Sequence, residues 1–165
     1  MMKKVLLLIA IISFSILLNS CGPLKPATVV KNRPIENYKY IYISPTKSLT
    51  SSSGGVYGSD YGLYGSSTSK SVNPTDIISG ILIKEGYIRL PELKNELTDK
   101  TLIINYGESG RRDRAFDYTI EVTIQFVSSK SNELISSCSA EGQGETEADN
   151  IRQAITRCLS ALQSK

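Results

Sequence analysis

The chain has 165 residues and a formal net charge of +3, which is the size of one ordinary domain. It contains no histidine, so the commonest general base and the commonest transition-metal ligand are both absent. The small charge argues against a nucleic-acid surface. Neither a cofactor nor a metal site is expected.

Residues 1–20 have the parts of a secretory signal peptide. Two lysines precede an apolar run over Val5–Leu18, about 14 residues where a spanning helix needs roughly 20. Leu18-Asn19-Ser20-Cys21 resembles a lipobox. We therefore predict cleavage before Cys21 and its modification with diacylglycerol and palmitate-type chains, which anchor a protein stably when two or more are present. An ordinary signal peptide with a chance cysteine is the alternative.

The residue after Cys21 bears on where such a lipoprotein is sorted. Gly22 stands where Asp retains Gram-negative lipoproteins in the inner membrane, which favours the outer membrane and a periplasm-facing position. Removing the signal peptide lowers the Lys and Arg count from 19 to 17, against 16 Asp and Glu. The mature protein is thus nearly neutral, and its membrane contact is expected to come from the lipid.

The first half of the mature chain mixes a tether, a strand and a loop. Residues 21–37 bear prolines without an amphipathic pattern, so we predict a lipidated tether before a single domain over 38–165. Lys39–Ser44 alternates as a strand does. Residues 46–72 predict a mobile low-complexity loop, because their Ser, Gly and Thr offer little apolar surface to offset ordering entropy. Its tyrosines either contact a ligand or partner or belong to a solvated insertion: Tyr57, Tyr61 and Tyr64.

The second half alternates helices and strands. Asn73 and Pro74 are typical of a helix start, and Gly86 is expected to end that helix. The following segments are then predicted in order: strand 87–90, short helix 91–97, strand 101–106, charged turn 107–115, strand 116–127, turn 128–132, strand 133–141, and a helix from the Thr146–Asp149 capping box to about Leu162.

These elements predict the fold class. Alternation over 116–127 indicates one packed and one solvent-exposed face. The first strand–helix–strand crossover predicts a parallel pair, and the last three strands predict an antiparallel meander. We expect an α+β fold of two layers, with a mixed five-stranded sheet and two main helices on one face.

Two cysteines remain once Cys21 is modified. Cys138 lies in the predicted strand 133–141 and Cys158 on the apolar stripe of the last helix, so both are expected to face one core. An oxidising compartment permits a disulfide without requiring one. Free buried thiols would instead pack as small apolar groups. The sequence leaves both alternatives open.

The remaining motifs are weak. An arginine cluster within the predicted turn is either a contact for an anion or acidic partner or a solvated hairpin balanced by nearby carboxylates. Two Ser-x-x-Lys matches, at 44–47 and 67–70, lack the helical setting and companion motifs of penicillin-recognising enzymes, so no enzyme activity is predicted. The cluster comprises Arg111, Arg112 and Arg114.

Three segments carry a resemblance to known proteins: the Ile77–Gly86 helix, the Thr101–Gly107 strand and the Glu141–Asp149 join. Over Tyr38–Leu162 the chain resembles a family of small, largely uncharacterised Gram-negative envelope lipoproteins. Its plan is also loosely similar to the amino-terminal α/β domain of the Tol–Pal translocation protein. The resemblance implies an envelope setting and names no catalytic residue.

Two functions fit these features. The first is a membrane-anchored, non-catalytic interaction module that docks an envelope protein through its open sheet face, a strand edge or the turn bearing Arg111. The second is a module that binds a glycan or small ligand through the Tyr-rich loop.

The lipidation hypothesis predicts the fate of a single-residue variant. Cys21→Ser is expected to leave an uncleaved, unlipidated precursor, because the thioether to diacylglycerol needs a thiol. Mass spectrometry and palmitate incorporation measure this outcome. Ser20→Gly, which keeps a small residue before the cysteine, serves as the processed control. Normal cleavage and membrane retention of Cys21→Ser would contradict the hypothesis.

Overall fold

The computed structural model describes residues 23–59, 62–114 and 117–164, and the chain forms eight strands and two α-helices within these ranges. The strands are β1 Thr28–Lys31, β2 Tyr40–Ile43, β3 Leu49–Ser59, β4 Gly62–Val72, β5 Ile88–Arg89, β6 Thr101–Asp113, β7 Tyr118–Ser128 and β8 Leu134–Gly142. The helices are α1 Pro74–Lys84 and α2 Glu147–Gln163, and 3₁₀ helices cover Ile35–Asn37 and Asn95–Lys100.

The main sheet has six strands in the order β1-β8-β7-β6-β2-β5. β6, β7 and β8 form an antiparallel meander, while β2 runs parallel to both β5 and β6. α2 packs on β7 and β8, and α1 packs on α2. The chain is therefore α+β with a mixed sheet and two main helices, as predicted, but its main sheet has one strand more than expected and β3 and β4 form a second sheet.

The packed face of the sheet is built by alternation along β7. Ile120, Val122, Ile124 and Phe126 are buried, while Gln125 between them is exposed. They join apolar side chains of both helices in one core. The predicted alternation is confirmed over 120–126, because a period of two places successive side chains on opposite faces. The opposite face is less exposed than predicted, since Thr119 is buried and Glu121 and Thr123 are half-buried.

Both helices begin at the predicted caps. Asn73 accepts a hydrogen bond from the Thr75 N–H at 3.1 Å, and Thr146 accepts one from the Asp149 N–H at 3.3 Å. Gly86 follows α1 with φ of 94°, the left-handed conformation that glycine adopts at no steric cost. These local signals satisfy donors that a helix start leaves unpaired.

The prediction of a free tether over 21–37 is wrong for its second half. β1 pairs antiparallel with β8, from Thr28 opposite Ser139 to Lys31 opposite Ser136. Ile35 is buried in the core. Val29 packs on the core, and its neighbours pair with the edge of β8. The segment therefore has both apolar and backbone partners, which its proline content does not indicate.

The prediction of an unstructured loop over 46–72 is also wrong. β3 and β4 pair in register from Leu49 opposite Val72 to Ser59 opposite Gly62. Val72 is buried and Leu49 packs on the core, so the base of the hairpin is fixed by apolar contact. Beyond the base, the backbone groups of the two strands pair with each other. Such pairing does not require the apolar side chains whose scarcity suggested a loop.

Two further boundaries differ from prediction. The charged turn expected at 107–115 is strand as far as Asp113, with a bulge between Glu108 and Gly110. Its charges are accommodated because Arg112 pairs with Glu141 on β8 and Arg111 pairs with Asp113 of the same strand. The short helix expected at 91–97 occurs instead as the 3₁₀ helix Asn95–Lys100, which meets the start of β6.

The turn from β8 into α2 requires glycine. A Cβ at Gly142 would lie 1.9 Å from the Asn150 carbonyl oxygen and 2.6 Å from the Ala154 nitrogen. A Cβ at Gly144 would lie 2.4 Å from Cβ of Asp149. The backbone of β8 therefore approaches α2 more closely than any other residue type allows.

A matched pair of glycine substitutions tests this close approach. Gly142→Ala is expected to lower the free energy of unfolding by about 3 kcal/mol, because the clash is with backbone atoms that have little freedom to move. Gly80→Ala on α1, where nothing lies within 4 Å, is expected to raise it by roughly 0.5–1 kcal/mol. Chemical denaturation measures both. Equal effects would contradict the packing argument.

Candidate functional site

The segment next to the predicted lipidation residue is held by a buried carboxylate. Cys21 itself lies outside the described residues. Glu141 on β8 has only 2% of its side chain exposed. It accepts a bidentate pair from Arg112, with Nε to Oε1 at 3.0 Å and Nη2 to Oε2 at 2.6 Å. The Lys25 N–H also donates to Oε2 at 3.0 Å, and Lys25 Nζ lies 3.5 Å from Oε1. We call these three residues the Glu141 clamp.

The clamp keeps the carboxylate ionised. Burial raises the pKa of Glu141, but the donors from Arg112 and Lys25 together outweigh burial and lower the pKa to about 2 from its ordinary 4.5. The same hydrogen bonds raise the pKa of Arg112. A buried charge is tolerated here because it is paired and hydrogen-bonded on both oxygens.

Arg157 of α2 closes the clamp from the other side. Its Nη2 donates to the Lys25 carbonyl at 2.8 Å, and its Nη1 donates to the Glu141 carbonyl. Both the N–H and the C=O of Lys25 are therefore bonded to the domain. The chain entering the fold is fixed at residue 25, before β1 begins.

The three clustered arginines each have a partner within the chain. Arg112 belongs to the clamp, Arg114 donates to the Gln143 side chain, and Arg111 pairs with Asp113 at 3.1 Å. The Arg111 guanidinium also lies 3.6 Å from the centre of the Tyr118 ring, a cation–π contact. Arg111 remains 59% exposed, so it is the member of the cluster most available to a partner.

The hairpin is tied to the first turn of α2 at its base. Lys70 Nζ donates to Asp149 Oδ2 at 2.8 Å and lies 3.6 Å from Glu145 Oε2. The Ala148 N–H donates to Ser51 Oγ at 3.0 Å. The hydrogen bond between Lys70 and Asp149 raises the pKa of Lys70 and lowers that of Asp149. Carboxylates at this position also suit the positive end of the helix dipole.

The structure places two of the three predicted tyrosines in paired strand positions. Tyr57 on β3 stands directly opposite Tyr64 on β4 in the register, and Tyr61 lies outside the described residues. Opposite positions in an antiparallel pair are those at which cross-strand aromatic pairs occur. Sequence reasoning found the tyrosines but not their pairing, which depends on the hairpin.

The two remaining cysteines are joined in a disulfide. Cys138 on β8 and Cys158 on α2 are both buried, with Cα atoms 5.3 Å apart. The bond links the sheet to the helix that covers it. Of the two alternatives that the sequence left open, the structure has the bonded one.

The described surface offers shallow cavities. One of about 310 Å³ lies beside the 3₁₀ helix Ile35–Asn37 and is lined by residues 31–36, Ser136 and Leu162. Within the described ranges, no group of three or more His, Cys, Asp or Glu side chains is placed to hold a metal ion. Neither described helix combines the length and apolar character that crossing a bilayer requires.

Comparison with known proteins assigns no family. No family model matches the chain, and no curated protein matches it. Among solved structures, a single-residue variant of the PelC dodecamer from Paraburkholderia phytofirmans aligns with a TM-score of 0.46 and 14% identity, over 84% of this chain and 98% of that one. The PelC dodecamer from the same organism aligns with a TM-score of 0.44 and 13% identity, over 84% and 99%. Function is therefore inferred from this chain's own residues.

The clamp predicts a defined pH dependence of stability. The folded pKa of Glu141 lies below its unfolded value, so its contribution is complete above about pH 4.5 and is lost as pH falls toward 2. Glu141→Gln is expected to lower the free energy of unfolding by about 2 kcal/mol at pH 7, because Arg112 loses its charged partner, and to flatten the curve in this window. Glu145→Gln, at an 81% exposed side chain, is the matched control with little effect. Denaturant titrations at pH 3, 5 and 7 measure both, and indistinguishable variants would contradict the role of the clamp.

Proposed function

We propose that this chain is a lipid-anchored protein of the bacterial envelope, held at the outer membrane through Cys21 and facing the periplasm, and that it acts as a non-catalytic interaction module. The β3–β4 hairpin is its docking arm. One observation carries this proposal: among the described residues, β3 and β4 pair with each other and with no other strand. The hairpin is therefore a second sheet, separate from the main one.

An isolated hairpin of this kind is energetically incomplete. Two-stranded hairpins are marginally stable in water, because they lack the further strand or apolar packing that a stable sheet needs. Each strand also presents one row of N–H and C=O groups that another strand can pair with. With eleven residues in each strand, the arm extends about 34 Å at the usual rise. A partner strand added to either edge would satisfy these groups and bury the arm. This geometry favours a protein partner.

The base of the hairpin gives the arm a fixed origin. Ser51 and Lys70 bind the first turn of α2, and α2 is joined to the main sheet by the disulfide. The arm is thus mounted on the part of the fold with the most cross-links. Fixing the arm before binding reduces the entropy lost on docking.

A second candidate is the binding of a glycan or small ligand. The observation that favours it is the position of Tyr57 opposite Tyr64. Paired tyrosines combine an apolar ring with a polar hydroxyl, which suits a surface that is partly apolar and partly hydrogen-bonding.

A variant with a truncated hairpin tests whether binding depends on the hairpin at all. Replacing residues 53–68 with Asn-Gly joins Ser52 to Ser69, which are opposite in the register, through a two-residue turn and keeps the contacts of Lys70. After crosslinking in intact envelopes, the wild type is expected to retain one protein partner at constant stoichiometry, and the truncated chain is expected to lose it. A truncated chain that keeps every partner would contradict the docking arm.

A second variant distinguishes the two candidates. Tyr57→Ser with Tyr64→Ser removes both aromatic rings and leaves the hairpin length unchanged. If edge pairing drives docking, this double variant still captures the protein partner. If the tyrosines bind a glycan, the double variant is no longer retained on envelope glycan. In that case the wild type also recovers no protein partner.

A further inference from the structure

The clamp fixes how far the domain can stand from its lipid anchor. Three residues separate Cys21 from Lys25, and the four Cα-to-Cα steps between them span at most about 14 Å whatever their conformation. Lys25 is bonded to the domain through its N–H, its C=O and its ammonium group. The Cα atom of a lipidated Cys21 therefore lies within about 14 Å of the Cα atom of Lys25, which is bound to Glu141.

The clamp lies at one end of the main sheet. β6 and β8 run in the same direction, since both are antiparallel to β7, and they end at Asp113 and Gly142. We call this the clamp end; it also includes the first turn of α2. The far end carries the 3₁₀ helix Asn95–Lys100 and the starts of the same strands. The nine residues of β8 alone separate the two ends by about 26 Å.

From this arrangement we infer that the clamp end of the domain rests against the headgroups of the bilayer and that the far end points away from it. This inference rests on the proposed lipidation at Cys21. It deepens that proposal by giving the domain an orientation and a contact surface. The pairing of β1 from Thr28 limits the free segment to residues 21–27, and the clamp shortens it further to residues 21–24.

The charges at the clamp end indicate that the orientation comes from the short connection and not from attraction to lipid. Lys25 and Arg111 are each more than half exposed, but Asp113 is exposed beside Arg111. Surface charges of mixed sign give little net attraction to anionic headgroups, and salt would screen what remains. The orientation is therefore expected to persist at high salt.

The hairpin base belongs to the same end. Ser51 and Lys70 contact Ala148 and Asp149 in the first turn of α2. The arm therefore originates next to the headgroups, and the partner it reaches first is one that is embedded in or lies on the same membrane.

Fluorescence quenching in vesicles tests the orientation. The mature lipidated protein, reconstituted with headgroup-nitroxide lipids, carries a fluorophore on Glu145→Cys at the clamp end or on Glu96→Cys at the far end. Cys21 is consumed by lipid and the other two cysteines by the disulfide, so the introduced thiol is the one labelled. Quenching at residue 145 is expected to exceed that at residue 96 by about threefold, given the ~26 Å between the ends, at low and high salt alike.

Two perturbations identify the clamp as the cause. Lys25→Pro removes the N–H that Glu141 binds, whereas Lys25→Ala removes only the ammonium group. The ratio of quenching at residue 145 to that at residue 96 should fall in the first variant and persist in the second. An insertion of about ten Gly and Ser residues after Gly22 adds roughly 17 Å and should also lower this ratio. Neither change touches the core.

The outcomes separate this inference from the proposed function. Equal quenching at both sites in the wild type overturns the orientation, and an unchanged difference in Lys25→Pro or in the insertion variant overturns the clamp. If the protein fails to enter the vesicle fraction and Cys21 retains the mass of a free thiol, lipidation itself is wrong and the inference falls with it.

Discussion

A carboxylate that is almost fully removed from water needs donors on both oxygens, and at Glu141 those donors come from two distant parts of the chain. Arg112 reaches across β7, Lys25 arrives from the amino-terminal segment, and Arg157 holds the adjacent carbonyl groups from α2. Replacing Arg112 would leave the buried carboxylate without its charged partner, which costs more than the bond contributes when formed. The position of the entering chain at Lys25 depends on this one charge.

The close contact between β8 and α2 is the second constraint, and it acts on the same region. Gly142 and Gly144 let the backbone approach the helix, and the disulfide ties the two elements one turn further along. The first turn of α2 is thereby held firmly enough to support the hairpin through Asp149. The two-stranded hairpin is therefore attached to the most cross-linked part of the fold.

Features with local causes could be predicted from the sequence. The caps at Asn73 and Thr146 and the alternation along β7 each depend on residues within a few positions of one another, and each occurs where expected. The mixed sheet and its antiparallel meander follow from the order of these elements.

Features with distant causes could not be predicted. Lys25 and Glu141 are 116 residues apart, and nothing near either residue indicates the other. The hairpin was missed because composition measures the apolar surface available, whereas β3 and β4 associate through their backbones. Bonding of Cys138 to Cys158 was left open because the sequence placed both in one core without giving their separation. The sequence predicts one arginine cluster, whereas the three side chains have three separate partners.

The pairing of β1 with β8 also sets an order of events during synthesis. The strand that follows the predicted processing site leaves the ribosome among the first residues, yet its partner Ser139 belongs to the last fifth of the chain. The amino-terminal segment therefore has no place in the fold until β8 has been made. Closing such a long loop late slows the final folding step, because the entropy of loop closure must be lost before β1 gains its partner.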